Sequence, residues 1–277
     1  MNKRETLHKR RVWEVDAVRG YLILWVLFYH LYFTVYEFCI NGGYRIDPYY
    51  YVAMTDPLQI WFSIDALGEV SLGIVPAFAQ KYLQPAWVNV FFVISGISCI
   101  FSRNNLKSGI RLLFGAAFIS LFTKLLAVFT GDETQFIRFG VLHCYAVCHL
   151  IYYFLFENRK DKYLLLGAGI SLLIGYYLLL NPVNTNYAIL VPFGFYEYGV
   201  HMRDYWPVFP MLGWFLIGVV MGRHWYKDKK SRFANLEDKK WHRPLRFLGR
   251  YSGLIYCGHM VIYTVVFLSI GYIFQLY

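Results

Sequence analysis

Long apolar runs alternate with short polar breaks along this chain, and most of the runs are too long to be strands. The first starts polar and turns apolar within a few residues: VWEVDAVRGYLILWVLFYHLYF, residues 12–33. Beyond Gly20 that run has no carboxylate, lysine or arginine, yet it carries His30. About 20 consecutive apolar residues is the length of a membrane-crossing helix. On that measure the pattern predicts about seven spans, at 16–40, 87–101, 109–129, 139–156, 163–180, 206–223 and 251–275. Residues 41–85 differ. They hold Asn-Gly-Gly, two Asp-Pro pairs, and an apolar middle broken by Asp65, Glu69 and glycines. This segment reads as an outer one, with an interfacial or re-entrant helix over 58–80 rather than a further span.

Charge orients the runs. Lys3, Arg4, Lys9, Arg10 and Arg11 precede the first span. Basic residues also follow spans two, four and six, while Asp132 and Glu133 follow span three. Cytoplasmic loops of membrane proteins carry the excess of Lys and Arg, so the N-terminus reads as inside and the C-terminus as outside. A crossing at 58–80 would move every later loop to the other side and invert that bias. The first run lacks a small-residue cleavage site and reads as a retained helix rather than a removed signal.

Composition agrees. The 277 residues are 58% hydrophobic and 16% charged, against about 25% charged in soluble domains. Aromatics reach 21%, which suits membrane interfaces. The fold class expected is therefore all-α: a polytopic transmembrane bundle in the cell membrane, one domain over 1–277. It has a cytoplasmic tail at 1–14, the outer segment at 41–85 and a basic cytoplasmic loop at 224–248. A net charge of +10 would suggest nucleic acid for a soluble protein. Here the basic residues sit in a few loops, so membrane lipids are the expected partner and no nucleic acid is. Cys39, Cys99, Cys144, Cys148 and Cys257 lie in or beside apolar runs and read as free thiols.

Ionisable residues within spans need a partner, a wet cavity or a function. Asp16 and Arg19 are three apart and can pair on a helix. His30 lies eleven residues beyond Arg19, about three turns, on the same face. Ten residues past Gly20 it sits ~15 Å into the bilayer, with a reference pKa of about 6.5 suited to a general base. His143 and His259 are the other candidates. His149, six residues after His143, faces elsewhere. No His pair shows the i, i+4 spacing of a zinc motif, so no metal is expected. Arg103, Lys107, Arg111, Arg223, Arg246 and Arg250 flank inner helix ends and read either as topology signals or as a rim for a phosphorylated ligand. Asp204-Tyr-Trp-Pro207-Val-Phe-Pro210 marks a stiff entry into span six, whose Gly213, Gly218 and Gly222 allow close helix packing. Buried His, Arg and Asp also build proton relays, so a proton-coupled transporter is the alternative. The paired repeats of many carriers are not seen.

Five segments in order carry a resemblance: VDAVRGYLILWVLFYH, FFVISGISCIFSRNNLKSGIRLL, FIRFGVLHCYAV, DYWPVFPMLGWFLIGVVMGR and LGRYSGLIYCGHM. Together they resemble the heparan-α-glucosaminide N-acetyltransferase catalytic-domain family in a short bacterial form. The first motif is shared with acyltransferase-3 type membrane proteins. The resemblance implies a membrane-bound O- or N-acetyltransferase with no bound cofactor. Acetyl-CoA, or another acyl-CoA, would be the cytosolic donor, and the acceptor would be an extracytoplasmic glycan or small molecule with an amine or hydroxyl. It implies His30 as base, with His143 and His259 as further catalytic candidates. Asp16, Arg19, Arg103, Arg111 and Arg250 would bind the donor or stabilise its charge. The chain departs from the lysosomal enzyme that names the family: functional residues of the loop after its first helix are not matched in YEFCINGGYRID.

Overall fold

The structure, a computed structural model, describes residues 12–36, 62–64, 70–72, 84–131, 133–197, 204–236 and 240–273. It is mostly helical. Helices α1 (Trp13–Tyr36), α2 (Gln84–Ser98), α3 (Asn105–Thr130), α4 (Val141–Ile151), α5 (Asp161–Leu180), α6 (Val208–Trp225) and α8 (Ser252–Ile273) fall where spans are predicted. A short helix α7 (Arg243–Arg250) precedes α8. A 3-10 turn extends α2 to Phe101, and a wider π turn extends α4 to Phe156.

Among the described residues, four helices are long and apolar enough to cross a bilayer: Asn105–Phe129, Asp161–Leu180, Val208–Trp225 and Ser252–Ile273. The 20 residues of α5 extend ~30 Å at 1.5 Å per residue, the thickness of the hydrocarbon layer. Phe114, Leu121, Leu125 and Phe129 on α3, and Leu173 and Leu180 on α5, are exposed, as a lipid-facing surface requires. Ala86–Phe101 and Val141–Phe156 are shorter apolar helices. The protein is a membrane protein.

One prediction is corrected. Phe62–Ile64 and Val70–Leu72 are strands β1 and β2, paired antiparallel, within the stretch expected to form an interfacial or re-entrant helix. FSI and VSL alternate apolar and polar residues, the period of a strand. The remainder of 58–80, the basic residues at 1–11, Cys39 and Asp132 lie outside the described residues. A second small pair joins β3 (Asn184–Thr185) to β4 (Tyr196–Glu197) in parallel.

The chain forms two compact units, Met1–Arg19 with Asn89–Arg250, and Gly20–Val88 with Tyr251–Tyr277. In the first unit α5 packs along α6, α3 along α4, and α4 against α6. Glycine makes the closest approach possible. A Cβ on Gly218 would strike the Val93 carbonyl oxygen, and one on Gly96 the Phe215 carbonyl oxygen, so the backbones of α2 and α6 touch directly. Gly213 and Gly222 also lie close to backbone, at Ala168 and Ile97, though less tightly.

The start of α1 is clasped by the basic loop after α6. The Glu14 carboxylate accepts Ser231 Oγ at 2.8 Å and Arg232 N–H at 2.7 Å. Trp13 Nε1 donates to Phe233 O at 3.1 Å, and its ring stacks on His242 at 4.3 Å. The helix therefore begins at Trp13, three residues before the predicted start.

The entry to α6 is stiff because its polar groups are spent. Asp204 Oδ2 accepts Val141 N–H at 3.1 Å, tying this segment to the head of α4. Tyr205 donates to the carbonyls of Val191 at 2.7 Å and Phe195 at 3.1 Å. Burial pushes the Asp204 carboxyl up to about 6, although its bonds from Val141 and Trp206 pull the other way.

Two tests follow from this packing. Gly96→Val and Gly218→Val should each lower unfolding stability in detergent by about 1–3 kcal/mol or more, whereas Gly169→Val, with open space around it, should change little. A raised carboxyl binds its proton more tightly when folded, so the stability it contributes is full below 3.8 and lost as pH rises through about 6. The thermal midpoint should fall over that window, and Asp204→Asn, which keeps an acceptor for Val141, should flatten the fall.

Candidate functional site

An open cleft of about 780 Å³ in the first unit gathers five of the predicted residues. Asp16 and Arg19 enter from α1, and Arg103 and Arg111 from the start of α3, with Lys107 between them. Ser98, Ser102, Asn104 and Ser108 supply hydroxyl and amide groups, and Val12, Val15 and Phe101 an apolar wall. A neighbouring recess of about 450 Å³ is lined by Phe101, Ser102, Arg103 and Lys229.

The local sequence explains why these groups meet. Asn104 caps α3, its side chain accepting Lys107 N–H at 2.9 Å. The first turn of α3 therefore opens into the cleft with its partial positive charge, the end of a helix that favours anions. Lys107 and Arg111, four apart on α3, share one side of the helix, and Arg103 just precedes it; all three are exposed. Arg19 is held from two directions. Its guanidinium lies 3.6 Å from Asp16 Oδ1, as the three-residue spacing predicts, and it also donates to Ser98 Oγ. Ser98 in turn donates to Ile94 O at 2.6 Å. The cleft is thus a positively charged, hydroxyl-lined pocket with a fixed arginine at its wall.

The other basic residues of the predicted rim are elsewhere. Arg250 is exposed at the end of α7 and does not line the cleft. Arg223 caps the widened end of α4. It donates to the carbonyls of Glu157 at 2.9 Å and Arg159 at 2.7 Å, and pairs with Asp161 at 2.8 Å.

His143 has local partners on both ring nitrogens. Its Nδ1 accepts Gly140 N–H at 3.2 Å, which leaves Nε2 as the donor to Ser120 Oγ at 3.1 Å. Ser120 donates to Ile137 O at 2.8 Å. This network ties the head of α4 to α3.

In the second unit, His30 and His259 meet. His30 Nδ1 lies 2.6 Å from His259 Nε2. The rings are within 5° of parallel, with centroids 4.9 Å apart. Tyr256 stands beside both rings, at 6.3 Å from His30 and 5.5 Å from His259. Tyr263 meets His259 edge-on at 5.6 Å and donates to Leu27 O at 3.2 Å. Thr34 donates to His30 O at 2.7 Å.

Sequence reasoning missed three polar residues. His149 is buried and lies 3.1 Å from Ser95 Oγ, with Cys99 Sγ at 3.7 Å from its other nitrogen. Ser98, one turn after Ser95, holds Arg19. The signal was present in VISGIS: two serines three apart within an apolar run mark a polar face that needs partners. Cys99, Cys144, Cys148 and Cys257 are free thiols. Among the described residues, no group of three His, Cys, Asp or Glu could hold a metal ion.

A family model described as "Heparan-alpha-glucosaminide N-acetyltransferase, catalytic" matches residues 51–261. The match takes in Arg103, Lys107, Arg111, His143, His149, Asp204, Arg250 and His259, and begins after α1 with its Asp16, Arg19 and His30. No curated protein and no solved structure was found to match the chain. The match runs from before α2 into α8 and covers most of the length, so the chain belongs to the heparan-α-glucosaminide N-acetyltransferase catalytic family, a family of transferase enzymes.

Proposed function

We propose that this protein is a multi-pass acetyltransferase of the cell membrane. It has seven spans and its N-terminus inside. It takes acetyl from cytosolic acetyl-CoA and delivers it to an amine or hydroxyl of a sugar on the outer side. The observation that carries this reading, beside family membership, is the cleft. Arg19, Arg103, Lys107 and Arg111 converge on the positive end of α3, an arrangement suited to the phosphates of a CoA. The excess of Lys and Arg in the loops supports a cytoplasmic side for the cleft, where acetyl-CoA is found.

The chemistry balances with one base. His30, eleven residues after Arg19 on the same helix, takes the proton of the acceptor N–H or O–H at its Nε2. The acceptor nitrogen or oxygen attacks the thioester carbonyl carbon, the C–S bond breaks, and CoA leaves as thiolate. The thiolate then receives the proton from His30, which restores the neutral ring. The acceptor class follows from the family's glucosaminide; exposed aromatics such as Tyr187 suit stacking on a sugar ring.

The test is acetyl-CoA binding and turnover by purified protein in detergent or nanodiscs. Arg103→Ala and Arg111→Ala should each weaken acetyl-CoA binding about tenfold, the loss of one charge-assisted contact. His30→Ala should keep binding and lower turnover by about 10²- to 10⁴-fold, the usual span of a general base. Absence of acetyl-CoA binding by folded protein, together with solute flux into proteoliposomes without donor, would replace this reading with the transporter.

A further inference from the structure

The hydrogen bond between His30 and His259 fixes which nitrogen of His30 is free. His259 Nδ1 lies 2.7 Å from Tyr256 O and 3.2 Å from Ile255 O. Carbonyl oxygens only accept, so His259 Nδ1 carries the hydrogen. In a neutral ring the lone pair is then on Nε2, the atom facing His30 Nδ1 at 2.6 Å. His30 must therefore carry its hydrogen on Nδ1 and keep Nε2 bare. Among the described residues Nε2 has no hydrogen-bond partner.

The ring geometry supports a directed bond. The centroid separation of 4.9 Å is close to the N···N distance of 2.6 Å plus the radius of each ring, and the planes are parallel within 5°. The imidazoles therefore lie edge to edge in one plane, the alignment of an N–H···N bond, and not face to face. Tyr256 and Tyr263 flank the pair and hold the ring of His259 against rotation. Within the second unit, neither the apolar run of α1 nor α8 contains an Asp, Glu, Lys or Arg. No carboxylate of these helices does the orienting, so an imidazole does it.

We propose that His259 is a positioning residue for the transfer reaction, which rests on the acetyltransferase reading above. By accepting the Nδ1–H of His30 it selects the tautomer whose Nε2 lone pair takes the acceptor's proton. When Nε2 is protonated, the bond to His259 becomes charge-assisted and strengthens. The proton stays at Nε2 until the CoA thiolate takes it, and His259 neither gains nor loses one. A base oriented by a third group is the logic of catalytic triads, with an imidazole here in the place of the carboxylate.

The experiment uses the full chain in nanodiscs and two variants. His259→Gln keeps an oxygen able to accept the His30 N–H; His259→Phe keeps a flat ring and removes the acceptor. His259→Phe should lower kcat at least 10²-fold, the effect of a wrong tautomer, while KM for acetyl-CoA changes less than about threefold. His259→Gln should recover at least tenfold of that kcat. Nitrogen-15 NMR of labelled histidine should show His30 protonated at Nδ1 and bare at Nε2 in the wild type, and a mixture in His259→Phe. Equal kcat for the two variants, or a wild-type His30 protonated at Nε2, overturns the proposal. Wild-type protein that binds no acetyl-CoA and transfers no acetyl removes the acetyltransferase reading, and the positioning role with it, whatever the tautomer found.

Discussion

A polar side chain on an apolar helix has to find its partner within the protein, because hydrocarbon offers none. That constraint accounts for most of the specific contacts within each unit. Arg19 takes Ser98 on α2, His149 takes Ser95, His143 takes Ser120 on α3, and Arg223 closes the open carbonyls beyond α4. In the second unit His30 takes His259. Each bond fixes the rotation of one helix relative to its neighbour, which apolar packing alone leaves loose. Backbone contacts at Gly96 and Gly218 then bring α2 and α6 as close as two helices can lie.

The same pairings divide the chemistry. One group of cations, at the mouth of α1 and the first turn of α3, is arranged around a cleft and aligned with a helix dipole. The clasp on Glu14 and Trp13 matters here, because it sets where α1 begins and so where Arg19 stands on the cleft wall. A second group pairs two histidines, His30 and His259, on helices whose apolar runs hold no Asp, Glu, Lys or Arg.

Hydropathy made the helices legible. The long runs, the glycine row in α6 and the Asp16–Arg19 pair are local patterns, and the structure follows them. Four features were not legible in this way. The strands at 62–64 and 70–72 are three residues each, too short for their alternation to stand out from the apolar run around them. The clasp joins Glu14 to Ser231, more than two hundred residues away, and nothing near either residue announces it. The pairing of His30 with His259 needs two distant helices, and the sequence offered the two as separate candidates. His149 was set aside because it shares no helix face with His143; its partners are on α2, which a reading of one helix at a time does not reach.

In the proposed reaction an acetyl group passes from a donor on one side of the membrane to an acceptor on the other. The most direct measurement seals the protein into vesicles with acetyl-CoA at the cytoplasmic face and a sugar amine at the opposite face. The account predicts acetylated sugar on the side that holds no donor, with free CoA released on the side that does. Folded protein that yields no acetylated sugar, or yields it only when donor and acceptor share a side, would contradict it.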